Sequence, residues 1–236
     1  MNVSISTACL SAETEDALTA INNLGRLAEV KLKTFYEYRP EFAKKCAQNL
    51  NGLKASFVGV NPNNFEAQLF DNQRRVRGDG FYWLDQIMRS ARLFKADKYC
   101  LCGGKLNDGE DLFARLNEIQ GFCSHYGVLP CVVNAPYGVY GKAGLFKRIK
   151  ENCPSVSGVL DIANAKLSGY PYGMFLADMQ GAVSAVRVPY ILTGETEYFF
   201  KELVKRLIDI GFSGDVILTA QTDDLPQLTR TAEYFE

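Results

Sequence analysis

The chain has 236 residues, with 26 basic and 27 acidic side chains, a formal net charge of −1 and a hydrophobic fraction of 47%. That length suits one large domain, and the composition is ordinary for a globular enzyme. Basic residues cluster no further than pairs such as Lys44-Lys45 and Arg74-Arg75, so no nucleic-acid partner is expected.

The opening segment, MNVSISTACL, lacks a basic stretch followed by a long apolar core. It reads as a first strand and not as a signal peptide. No apolar run approaches the ~18 residues of a membrane span. A cytoplasmic protein with no membrane partner is therefore expected. Strand candidates follow at Val3–Ala8, Ala28–Thr34, Leu53–Val60, Lys98–Cys102, Val128–Val133, Gly158–Asp161, Ala182–Val188 and Asp215–Thr219. Their near-continuous apolar character is that of parallel strands buried on both faces.

Helical stripes fill the gaps between strands. Leu18, Ile21 and Leu24 are followed by Gly25 as a stop signal. Phe42, Cys46 and Leu50 recur every four residues. Phe81, Leu84, Ile87, Met88, Ala91 and Phe94 form one stripe, and Phe200, Leu203, Val204 and Leu207, closed by Gly211, form another. Eight strand–helix units without a linker or low-complexity stretch predict one domain over 1–236, an α/β fold of the (β/α)₈ TIM-barrel type with short loops. No G-x-G-x-x-G or G-x-x-x-x-G-K-[ST] follows a strand, which disfavours nucleotide-binding sheets.

Two loops stand out. Asn61 to Arg77 carries Phe65, Phe70, Arg74 and Arg75, and a loop of that length suggests a lid or binding loop. Arg74 and Arg75 read as an anion clamp or as a solvated helix start. The segment 134–142 mixes Tyr137 and Tyr140 with glycines. It suits a sugar-like ligand at the barrel mouth, or equally a surface turn. The seven cysteines, an odd number without a C-x-x-C pair, read as reduced and mostly buried. Cys100 and Cys102 are read as lying on opposite strand faces, and so not as a metal pair. His125, the single histidine, is read as a surface or interhelix residue.

Several segments in order resemble the xylose-isomerase-like TIM-barrel superfamily, in its sugar-phosphate isomerase/epimerase branch, also labelled apurinic-endonuclease family two. They are Ile5-Ser-Thr-Ala-Cys-Leu10, Thr34-Phe-Tyr-Glu-Tyr-Arg-Pro-Glu-Phe42, Phe65-Glu-Ala-Gln-Leu-Phe70 with Arg74-Arg75, Val133-Asn134, Leu160-Asp-Ile-Ala-Asn-Ala-Lys166, and Gly194-Glu-Thr-Glu-Tyr-Phe199 with Ile210-Gly-Phe-Ser-Gly214. The resemblance implies a divalent cation held by two glutamates, an aspartate and a histidine from strands five to eight. On this chain those positions become Val133, Asp161, Arg187 and Thr219. One metal ligand of the four remains, so no metal and no other cofactor is expected. An abasic-site endonuclease, which needs several histidines, is disfavoured.

The leading expectation is a sugar-phosphate isomerase/epimerase-like barrel with a degenerate metal site. It would bind a small carbohydrate-like or anionic molecule at the carboxyl-end mouth. One alternative is a metal-independent isomerase or epimerase, with Asp161 as base and Lys33, Cys102 or Tyr190 as acid. Another is a non-catalytic, partner-binding barrel. Asp161, Arg187, Lys33 and Cys102 are the catalytic candidates. Asn134, Tyr137, Asn164, Tyr190, Thr219, Gln221 and Arg74 are the ligand contacts, and a homo-oligomer is allowed. Arg187 is expected to fill the metal's place and bond Asp161 directly or through one water, since a buried carboxylate needs a cation or a proton.

Overall fold

The computed structural model describes residues 1–49, 54–61, 65–103, 112–136 and 139–236. Eight parallel strands close into a barrel in sequence order: β1 Asn2–Ser6, β2 Leu27–Leu32, β3 Ala55–Val60, β4 Lys98–Leu101, β5 Leu129–Val133, β6 Ser157–Asp161, β7 Val183–Val188 and β8 Asp215–Leu218. The barrel closes through β8 on β1, with Val3 opposite Val216 and Ile5 opposite Leu218. Every strand lies within two residues of its predicted segment at each end, because buried parallel strands announce themselves as short apolar runs.

The described helices are α1 Thr14–Asn23, α2 Pro40–Asn49, α3 Arg74–Phe94, α4 Leu112–Ser124, α5 Ala143–Asn152, α6 Ile162–Leu167, α7 Tyr172–Asp178, α8 Glu197–Asp209 and α9 Leu225–Glu233. The predicted stripes are their buried faces: Leu18 and Ile21 of α1, Leu84 to Phe94 of α3, and Phe200, Leu203 and Leu207 of α8 all pack on the sheet. Gly25 and Gly211 end α1 and α8 with positive φ, which glycine adopts without a Cβ clash. Leu50 lies outside the described residues.

Strand alternation divides the apolar residues between two cores. Outward side chains such as Val30, Val58, Leu101, Val132, Leu160, Val186 and Leu218 join the helices in one large cluster. Inward side chains Phe57, Cys100, Cys131, Val133, Val159, Ala185 and Ile217 form a second cluster filling the barrel, with Cys102 against it. Cys100 and Cys102 therefore share a face, correcting the opposite-face reading: residues two apart on a strand point the same way. The amino end of the barrel is closed by polar contacts. There Lys98 Nζ lies 3.4 Å from Asp215 Oδ2, and Asn2 Nδ2 donates to Asp215 Oδ1 over 3.2 Å. This apolar plug leaves the carboxyl end as the place for chemistry.

The predicted lid after β3 packs downward where it is described. Phe65 and Leu69 are fully buried and a 3₁₀ turn runs from Glu66 to Phe70. Tyr140 is likewise buried and does not decorate the mouth. Its ring lies against Gly103, where an added Cβ would sit 2.3 Å from Cε2 and where φ is +69°. Both the close approach and the left-handed backbone require glycine there. His125 is exposed just past α4, with Nδ1 2.7 Å from the Gly121 carbonyl oxygen, as read from the sequence.

Candidate functional site

The floor of the carboxyl-end mouth is built from inward-facing positions at the ends of the strands. In β2 the alternation sends Ala28, Val30 and Leu32 outward and Glu29 and Lys31 inward. Glu29 is fully buried, and Arg187 of β7 reaches it across the barrel, its Nη2 donating to Glu29 Oε1. The other arm of the guanidinium, Nη1, lies 3.7 Å from Asp161 Oδ2 of β6. Asp161 and Arg187 are also direct register partners in the sheet. The expected cation beside Asp161 is thus Arg187, but its tighter contact is with Glu29, which the sequence reading did not include.

The charges follow from this arrangement. Burial works to raise the Glu29 carboxyl, but the Arg187 charge, the Lys31 charge and the hydrogen bonds it accepts together outweigh burial and hold Glu29 below the ordinary carboxylate range. Burial also raises Asp161, and Arg187, standing further off, does not fully offset it, so Asp161 remains above its ordinary value. Burial works to lower Arg187, but Glu29 and then other groups more than compensate, leaving it well above the ordinary value. Its charge is therefore permanent.

A second buried carboxylate supports the wall. Glu66 accepts from Tyr99 Oη over 2.5 Å and from the backbone N–H groups of Cys102 and Gly103 over 2.9 Å each. Burial pushes it up to about 7 despite those bonds and the nearby Lys31 charge. Cys102 is half-buried at the end of β4, and burial pushes its thiol up to about 11. It is a poor thiolate at neutral pH.

Lys31 is the group that the sequence reading missed most plainly. It pairs in register with Gly59 of β3, and a Cβ at Gly59 would lie 3.5 Å from its Nζ. Its backbone N–H is fixed on Thr7 Oγ1 at 2.9 Å. Its charge acts on Glu29, Glu66, Cys102 and Asp161. Lys33, the residue chosen from the sequence, turns away. It is exposed, its Nζ donates to the Ala12 carbonyl over 2.9 Å, and its backbone N–H meets Glu37 Oε2 at 2.5 Å. It has left the strand, so the alternation that aims Lys31 inward no longer governs it. A signal for both missed residues did exist: Glu29 and Lys31 stand two apart inside an otherwise apolar strand, hence on one face.

Asn134 and Asn164 come to the site as framework. Asn134 Nδ2 donates to the Asp161 carbonyl over 3.0 Å and its Oδ1 accepts the Asp161 N–H at 2.5 Å. Asn164 Nδ2 donates to the Asn134 carbonyl over 2.7 Å, while its N–H caps on Asp161 Oδ1 at 2.9 Å. These amides hold the end of β6. Thr219 is half-buried just past β8, its N–H on the Val188 carbonyl. Tyr190 is half-buried with its ring 5.2 Å from that of Phe199. Gln221 and Arg74 are exposed. Arg74 stands at the first turn of α3, the solvated helix start of the two readings. Tyr137 lies outside the described residues.

The divalent cation implied by the resemblance does not fit these residues. Val133 belongs to the apolar plug, Arg187 brings a fixed positive charge to Asp161, and Thr219 supplies no carboxylate. Among the described residues no group of three or more His, Cys, Asp or Glu side chains is placed to hold a metal ion.

Comparisons with solved structures agree on the architecture. A D-psicose 3-epimerase determined in the presence of D-fructose has a TM-score of 0.75 at 15% identity, over 100% of this chain and 90% of that one. An L-ribulose 3-epimerase gives 0.75 at 16%, over 99% and 86%. A sugar phosphate isomerase/epimerase from Parabacteroides distasonis ATCC 8503 gives 0.68 at 12%, over 99% and 91%. The fold, a closed (β/α)₈ barrel, is the one these sugar epimerases and isomerases have. At these identities the shared property is the fold. No protein-family profile and no curated protein matches the chain.

Proposed function

We propose that the barrel mouth binds a small carbohydrate-like or anionic molecule, and that the metal site of the sugar-isomerase barrels is degenerate in this chain. The observation that carries the reading is one floor that holds two cations and two carboxylates: Arg187 pairs with Glu29 and Asp161, and the Lys31 charge acts on both. Such a floor offers both donors and acceptors at near-zero net charge, the chemistry that hydroxyl-rich molecules need. Between the two ligand classes this balance favours the carbohydrate-like one. Arg187 would stand in for the lost metal as a fixed charge without Lewis-acid chemistry. The contacts proposed are Lys31, Asp161 and Arg187, with Thr219 at the rim.

Thermal-shift screening with neutral ketoses, sugar acids and sugar phosphates tests the reading. Stabilisation by one of these classes, weakened in Lys31→Met, supports it. The absence of stabilisation by all three favours the partner-binding barrel.

A further inference from the structure

We infer that Lys31 captures carbonyl compounds covalently, its Nζ forming an iminium with the open-chain keto or aldehyde carbon of the carbohydrate-like molecule proposed above. The inference rests on that reading of the mouth.

Four observations carry it. Lys31 lies on the inward face of β2, near the carboxyl end of the barrel, where strand-end residues do the chemistry of such folds. Its side chain is half-buried and runs over Gly59, where a Cβ would stand at ordinary contact distance, 3.5 Å from Lys31 Nζ and 3.6 Å from Cδ. Its Nζ makes no hydrogen bond or ion pair among the described residues, whereas Glu29, Arg187 and Asp161 are engaged with one another and Glu66 with the wall. Finally, the other nucleophile of the floor, Cys102, is held as a thiol by its burial.

The step balances without a metal, oxidant or reductant. The ammonium of Lys31 and a carbonyl carbon form a C–N bond, the C–O bond breaks, and oxygen leaves as water with two of the nitrogen's protons. One proton and the single positive charge stay on the iminium. Because charge is conserved, the carboxylates Glu29 and Asp161, which already face the ammonium charge, face an equal one afterwards. An iminium withdraws electrons from the neighbouring carbon, the polarisation that a Lewis-acid cation would otherwise provide. An anionic ligand gains less here, since Glu29, Asp161 and the partly ionised Glu66 oppose it.

The test incubates the full chain with dihydroxyacetone and sodium cyanoborohydride, followed by intact-mass measurement and peptide mapping. A single reduced adduct on the peptide carrying Lys31 is expected. It is lost in Lys31→Arg, which keeps the charge, and in Lys31→Met, with folding of each variant verified by thermal melting. Labelling spread over exposed lysines and unchanged in Lys31→Arg overturns the inference. So does the absence of an adduct while neutral ketoses still stabilise the protein, an outcome that leaves the binding reading standing. Absence of both adduct and stabilisation overturns both.

Discussion

Arg187 and Glu29 meet across the barrel from strands that are not neighbours, β7 and β2, through a contact between residues 158 positions apart in the chain. The side chains are 8% and 0% exposed, and Asp161, the second carboxylate beside Arg187, is 13% exposed. A fixed charge at this depth is tolerable only because both carboxylates compensate it.

Arg187→Ala is expected to destabilise the fold by about 3–5 kcal/mol, because it leaves Glu29 buried and unpaired. Lys33→Ala, at an exposed position, should cost about 0.5 kcal/mol or less. Denaturant unfolding of both variants checks the difference. The pair also has a pH signature. Glu29 is depressed in the folded state, so its contribution is present above the unfolded carboxylate pKa and is lost as pH falls through the folded value. Glu29→Gln should remove that acid-side loss.

Glu66 gives the opposite slope. Its folded value of about 7 lies above the unfolded one, so between the two the folded chain holds a proton that the unfolded chain releases. Its stabilising effect is complete below the unfolded pKa and is lost as pH rises through about 7. The loss is roughly 3–4 kcal/mol if no other group compensates. Unfolding curves of the wild type and Glu66→Gln, taken from pH 4.5 to 7.5 (about the window between these values), should show a steeper decline in the wild type, since the raised Asp161 contributes a decline to both. Equal slopes would mean that Glu66 is ionised throughout.

Protein purified without chelator is expected to carry no stoichiometric manganese, magnesium or zinc. A catalytic site of this kind needs three protein ligands with the right geometry, and Val133 and Thr219 do not supply them. Arg187→His alone should not create metal binding for the same reason. Elemental analysis returning one metal per chain in either protein would refute this.

Asn134→Leu is expected to destabilise the chain by about 1–3 kcal/mol for each backbone group of Asp161 left unsatisfied. Both the N–H and the carbonyl of Asp161 depend on this amide. Any ligand binding should weaken in step with the displaced end of β6. A variant with full stability and weakened binding would instead assign Asn134 to the ligand itself.

The architecture was legible in the sequence because its signals are local. Apolar runs such as Ala55–Val60, and stripes such as Leu84 to Phe94, report on residues near one another in the chain. Asp161 and Arg187 were also legible, as strand-end residues brought out by a resemblance. The remainder of the site depended on distances that only closure of the barrel defines. Glu29 and Arg187 come together because β2 and β7 face each other, and Glu66 becomes buried because its turn folds onto β4. The choice between Lys31 and Lys33 was a matter of where β2 ends. Inside the strand the pleat aims a lysine at the mouth, and one step beyond it the same side chain turns to the Ala12 carbonyl. Composition and periodicity specify which residues are buried in strands and helices. Only the closed sheet decides which charges must compensate one another, since electrostatic pairing depends on separation in space and not along the chain.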